Sequence, residues 1–341
     1  MTIKAIYGFS RALGPFQELS VPDAVARLQA WGVNAIFGGY NDPDLVQAAH
    51  EAGLRVYAEF GCFVGEKWWS AYPESRPITA QGEPLPKQDG YAGVTPAIPA
   101  VRQGLWEQLA ELASTRALDG IWLDFIRWSS RWESPQPHLY QTSFDAISVS
   151  AFLDDTGLAL PATWGAQGVS GIPAAELATW ILSQHQAAWI DWKCQQITAW
   201  VRRAREIVQA RAPDCLLGMF SIPWTETDWD GALRRIMGQD LRALADYIDV
   251  FSPMVYHKMC GQPVSWIGDI TEHAHGLTRK PIWPIIQTMS QPEALSDQEF
   301  GAAIDAAQGA DGSAGVILFT LKGLLAENKV PTIQARFNSQ T

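Results

Sequence analysis

Short apolar runs alternate with longer amphipathic ones along this chain, and the two periods mark out its elements. Residues 3–9 read as a strand. Residues 21–31 follow as a helix, with Ser20 as its N-cap, Pro22 in the first turn and Gly32 at its end. A strand over 35–38 and a helix over 44–52, closed by Gly53, repeat the unit, and 55–60 form a third strand. An irregular stretch over 61–100, rich in Pro, Gly and aromatic residues, precedes a helix over 101–114 and a fourth strand over 120–126. A second insertion runs to about residue 173, and one long helix follows over about 175–210. Strands over 216–222, 250–256, 281–287 and 315–320 then alternate with helical stretches over 238–245, 264–275 and 296–308.

Eight strands separated by helices imply parallel pairing. With no low-complexity linker, the pattern predicts one α/β domain over 1–341: a single (β/α)₈ TIM barrel with long loops after strands 3 and 4. A doubly wound sheet that bound a dinucleotide would carry a GxGxxG-type turn after an early strand, whereas Gly38-Gly39 is only a pair. In such barrels chemistry sits at the C-terminal ends of the strands. Those ends offer Ser10 and Arg11, then Gly39, Tyr40 and Asn41, then Glu59, then Asp124 and Arg127. Further on come Trp224, Glu226 and Asp228, then Tyr256, His257 and Lys258, and finally Gln287 and Lys322. Both long insertions lie on this face, where loops build a site or cover it.

Composition narrows the partner. Of 341 residues, 47% are hydrophobic and 18% charged, enough for a substantial core. A net charge of -11 disfavours nucleic acid and anionic membrane surfaces, which both call for a basic face, and suits a neutral or cationic ligand. Sixteen tryptophans can fill a core or supply flat platforms for sugar rings. Trp68, Trp69, Trp128, Trp132 and Trp224 fall in loops and suit stacking; Trp180, Trp189, Trp192 and Trp200 fall in the long helix and suit packing. Cys62, Cys194, Cys215 and Cys260 have no zinc spacing and read as free thiols, mostly buried in strands. The opening MTIKAIYGFSRALG lacks a signal-peptide pattern and no run reaches 18 apolar residues, so a cytoplasmic protein without a membrane span is expected.

The most informative segment is DGIWLDFIRW, residues 119–128. Asp124 interrupts an apolar strand, where a charge is costly unless paired, hydrogen-bonded or exposed at the barrel mouth. Arg127, three residues on, can pair with it. That pair is either a structural fixture of the loop or part of a site. GIWLDFIRW resembles the fourth-strand signature DGIxLD[YF]IR of putative glycoside-hydrolase-like (β/α)₈ barrel families, and DVFSPMVYHKM (249–259) is similar to their sixth strand. Related barrels in that group act on amino-sugar polymers. The resemblance implies a glycoside hydrolase acting on an oligo- or polysaccharide, with Asp124 as catalytic carboxylate; from the residue spacing, no cofactor and no metal are expected. Family members often continue with Tyr-Pro or Phe-Pro after the arginine, whereas Trp128-Ser-Ser opens a long insertion here.

Glycoside cleavage uses two carboxyl groups. Glu59, on the strand beside Asp124, and Glu226, in the acid-rich loop PWTETDWD, are the candidate partners, with Asp228 and Asp230 competing. Glu59 sits in apolar VYAEFG, which would raise its pKa as an acid requires. A Thr-x-x-Asp string can instead cap the following helix. Tyr40, Arg127, Trp128, Trp224, Tyr256, His257, Lys258, Gln287 and Lys322 are the expected substrate contacts. Two other functions fit the same strand ends. One is a Schiff-base lyase or aldolase using Lys322 or Lys258, and the other is a non-catalytic sugar-binding barrel. A metal-dependent hydrolase of this fold would show HxH after strand one, where the chain reads Tyr7-Gly-Phe-Ser10.

Overall fold

A computed structural model of the chain describes residues 2–115, 117–164 and 167–338. Its strands are β1 (Ile3–Phe9), β2 (Ala35–Gly38), β3 (Arg55–Gly61), β4 (Gly120–Asp124), β5 (Leu216–Ser221), β6 (Val250–Pro253), β7 (Ile285–Gln287) and β8 (Gly315–Phe319). They form one parallel sheet in the order β6-β5-β4-β3-β2-β1-β8-β7. Its two edges meet through parallel bridges from Phe251 to Ile282 and from Met254 to Ile285, which bring the sheet round into a nearly closed (β/α)₈ barrel.

Helices fill the connections. The first half holds α1 (Val21–Ala30), α2 (Pro43–Glu51), α3 (Glu66–Ala71), α4 (Pro99–Thr115) and α5 (Ala146–Thr156). Next come α6 (Ala174–Gln184), α7 (Gln186–Arg211), α8 (Asp228–Arg235) and α9 (Leu241–Leu244). The last are α10 (Ser265–Thr278), α11 (Asp297–Gly309), α12 (Leu321–Ala326) and α13 (Val330–Phe337). Ser20 caps α1 as its sequence predicts, accepting from the Asp23 amide. No helix among the described residues is long and apolar enough to cross a membrane.

The strands are buried on both faces, as parallel strands wrapped by helices must be. Outward residues such as Ile36, Val56 and Leu318 pack with α1, α2, α11 and α13. Inward residues are largely aromatic. Trp122 stacks on Trp283 at 4.9 Å, Tyr57 lies 5.0 Å from Trp122 and 5.1 Å from Phe37, and Tyr7 lies 5.0 Å from Phe319. The Trp122 indole N–H donates to Ser252 Oγ at 2.9 Å. This packed interior is the floor on which any site must stand. It also requires Gly218, where a Cβ would lie 2.2 Å from the Trp122 ring.

Several boundaries differ from expectation, each for a local reason. β4 stops at Asp124 instead of 126 because Phe125 takes φ +49 and turns the chain out of the sheet. β6 stops at Pro253 because the Val255, Tyr256 and His257 amides bond carbonyls two residues back, not a neighbouring strand, and β7 starts after Pro284, which has no N–H for the ladder. The expected single helix over 175–210 is two, α6 and α7, broken at His185 with φ -134, where its ring packs on Trp180 at 4.8 Å. Only one turn of the helix expected over 238–245 forms, capped by Asp240. The second insertion carries α5 between an Asp145 cap and a left-handed Gly157. All four cysteines are free and buried, but none lies within a strand.

Candidate active site

Glu59 and Asp124 stand on adjacent strands at the C-terminal mouth. In the register, Glu59 pairs with Trp122 and Gly61 with Asp124. Side chains two residues apart share a face, so both carboxylates point the same way as Trp122, into the barrel. Neighbouring strands and a two-residue rise put their Cα atoms about 8 Å apart.

Their surroundings differ. Asp124 is buried except for a small exposed part of its side chain, accepts the Phe125 amide at 2.6 Å and faces Arg127 Nη1 at 3.6 Å. Burial pushes its pKa up, while Arg127 and the Phe125 amide oppose that rise by favouring the anion. Among the described residues no cation faces Glu59 in this way. Its Oε2 accepts a hydrogen bond from the Tyr7 hydroxyl. Burial first, and the nearby Asp124 charge second, push its carboxyl up to about 8. One carboxyl is thus equipped with an arginine and an amide for the charged form, and the other is held protonated at neutral pH.

Two long loops close over this pair. The insertion after β4 brings Glu133, a carboxylate outside the sequence-derived set. Burial raises its pKa, Arg127 opposes the rise, and Asp124 adds to it. Glu133 lines a hollow with Tyr91, Phe125, Arg127 and Trp132, where the Arg127 guanidinium lies 4.5 Å from the Phe125 ring centre. The Tyr256 hydroxyl is pushed well up by burial, then by Glu133, Asp124 and Glu59, which ties the three acids to one neighbourhood. Tyr256 stacks on Trp132 at 5.8 Å and on Phe319 at 5.0 Å. The available sequence signal for Glu133 is an acid beside Trp132 in the loop on the active face. On the other side of Glu59, Tyr40 lines a cavity of about 320 Å³ with Tyr7, Phe37 and Gly38.

Other expected site residues are placed elsewhere. Glu226 is exposed and pairs with Arg242 at 3.4 Å. Asp228 accepts the Thr225 amide at 2.6 Å, but the expected cap does not form: Thr227, which precedes the helix, makes no side-chain cap bond, and Trp229, Asp230 and Gly231 are left-handed. Trp128 is fully buried against Trp192 and Lys193, with its N–H on the Lys193 carbonyl, so it has no free face for a sugar. Trp224 is nearly buried beside Trp229. His257 and Lys258 both pair with Glu299 of α11, at 3.2 and 3.1 Å. Gln287 is buried and spends its amide on the Met259 N–H and the Met289 and Gln291 carbonyls. Lys322 is exposed on α12. Trp180, Trp189, Trp192 and Trp200 are buried packing residues, as expected. Among the described residues, no three His, Cys, Asp or Glu side chains gather to hold a metal ion.

No protein-family model matches the chain, and no curated protein matches its sequence. Its fold is similar to solved glycoside hydrolases. The glycoside hydrolase domain of PgaB (BpsB) from Bordetella bronchiseptica superposes with a TM-score of 0.67 at 13% identity, over 98% of this chain and 97% of that one. The catalytic domain of a β-amylase from Paenibacillus polymyxa gives 0.63 at 12% identity, over 99% and 98%. The GH42 β-galactosidase Gan42B from G. stearothermophilus gives 0.61 at 12% identity, over 99% of this chain and 57% of that one. At these identities the likeness shows the (β/α)₈ barrel fold alone.

Proposed function

We propose that this protein hydrolyses O-glycosidic bonds of an oligo- or polysaccharide, with Glu59 as proton donor and Asp124 as its anionic partner. The observation that carries this is the unequal environment of two carboxyls facing one barrel mouth. Glu59 keeps its proton up to about pH 8. The Tyr7 hydroxyl occupies Oε2 and leaves Oε1 to carry that proton to the leaving oxygen. Once the proton has gone, the same hydroxyl stabilises the carboxylate. Asp124, with Arg127 and the Phe125 amide behind it, meets the anomeric carbon or the water that attacks it. Fold neighbours that are glycoside hydrolases support the reaction class. A Schiff-base mechanism has less support, because Lys322 is exposed and Lys258 is paired with Glu299, while an amine nucleophile needs a desolvated site.

The test is a screen of aryl glycosides and oligosaccharides with the wild type and Asp124→Asn. Hydrolysis that falls by at least about 10²-fold in the variant is expected, the lower end of what one acid–base group contributes. Full turnover by Asp124→Asn, or no cleaved glycoside in the wild type, would overturn the reading.

A further inference from the structure

Two exposed aromatic rings flank the barrel mouth. Tyr91, Ile147 and Trp229 are the large hydrophobic side chains left exposed among the described residues. Tyr91 borders the hollow beside Arg127 and Glu133. Trp229, 43% exposed, borders a second cavity of about 440 Å³, within the roughly 300–1,000 Å³ typical of small-ligand sites. Trp132 is a wall of both, so the two hollows are neighbours. The second cavity is built by the loops after β4, β5 and β6 and the start of α10, and it therefore opens on the same face as Glu59 and Asp124.

Trp229 is held outward at a cost. Trp229, Asp230 and Gly231 take φ +52, +57 and +69 in succession. The left-handed region costs an L-residue roughly 1–2 kcal/mol. Arg235 holds this turn, donating from Nε to the Asp230 carbonyl and from Nη2 to the Trp229 carbonyl, each at 2.9 Å. Strain of this kind collects at binding sites, where the surrounding structure over-determines it. The Trp229 ring of this strained turn stays exposed to solvent, 6.4 Å from that of Trp224. Trp266 adds a further aromatic wall, and the acidic side chains of the lining are Asp228 and Asp269, with no basic side chain among the described lining residues.

We infer that this cavity is a subsite for a length of glycan, stacked on Trp229, whose cleaved bond lies at Glu59 and Asp124. The inference rests on the hydrolase reading above and deepens it: the substrate is an oligosaccharide or polymer that spans both hollows, and it carries no acidic groups. A uronate or sulfated chain would meet Asp228 and Asp269 as like charges.

Binding to the uncleaving Asp124→Asn protein tests this. Cello-, xylo-, manno-, malto- and chito-oligosaccharides from disaccharide to hexasaccharide, with oligogalacturonides as the acidic counterpart, are titrated by calorimetry and tryptophan fluorescence. We expect affinity to rise with length for one neutral series, and Trp229→Ala to remove about tenfold of it, the size of one aromatic stacking contact. Ile147→Ala, an exposed apolar residue that lines neither hollow, should keep the length dependence. Affinity independent of length, unchanged in Trp229→Ala, strongest for oligogalacturonides, or absent for every series would overturn the subsite. Length-dependent binding without hydrolysis by the wild type would sink the hydrolase reading and leave the subsite standing. Hydrolysis equally fast on disaccharide and hexasaccharide would do the reverse.

Discussion

Replacing Glu59 by glutamine should make the protein more stable and inactive at once. The buried carboxyl beside Asp124 has its pKa pushed from the ordinary 4.5 to about 8. The unfolded chain ionises this group at its ordinary value, while the folded chain must keep the proton. The fold therefore holds the proton more tightly than the unfolded chain does. Stability from this site is fully present below about pH 4.5 and drains away as pH rises toward about 8. Each pH unit in that window costs about 1.4 kcal/mol, so neutrality stands about 3 kcal/mol below the acid plateau. Glutamine is neutral throughout, has nearly the same shape, and can accept the Tyr7 hydroxyl through its own carbonyl oxygen. Glu59→Gln should match the wild type near pH 4 and exceed it by about 3 kcal/mol near pH 7. Its glycosidase activity should fall by about 10²–10⁴-fold. Urea unfolding followed by tryptophan fluorescence across this pH range reads the difference. Stability curves that stay parallel from pH 4 to 8, or a variant weaker than the wild type near pH 8, would refute the claim that Glu59 is held protonated.

Two further changes probe the site and its floor. Arg127→Met removes the cation that opposes the burial of Asp124, so the acid limb of the pH–rate profile should move to higher pH, and breaking this buried pair should cost about 3 kcal/mol near neutrality; an unmoved acid limb would show that Arg127 does not tune Asp124. Gly218→Ala drives a methyl into the Trp122 ring and should destabilise the barrel by about 1–3 kcal/mol, read as a lower urea midpoint with an unchanged slope.

The alternation of buried strands and amphipathic helices determined the barrel, because a parallel sheet wrapped by helices leaves a continuous apolar signature in each strand. It also placed Glu59 and Asp124, since a charge inside such a run stands out and the strand-end rule says where it points. The pairing of Asp124 with Arg127 was legible for the same reason. Burial was not. Trp128 and Trp224 look alike as loop tryptophans next to strand ends, yet Trp128 is fully enclosed by Trp192 and Lys193 of a helix more than sixty residues away. His257 and Lys258 read as a mouth cluster until α11 supplies Glu299. Glu133 joins Asp124 only because the loop after β4 folds back over the barrel, and Trp229 faces solvent only because Arg235 holds a left-handed turn. Local pattern governs what a residue's neighbours along the chain require, whereas partners, solvent and charge at a barrel mouth come from elements distant in sequence, and these the tertiary structure alone decided.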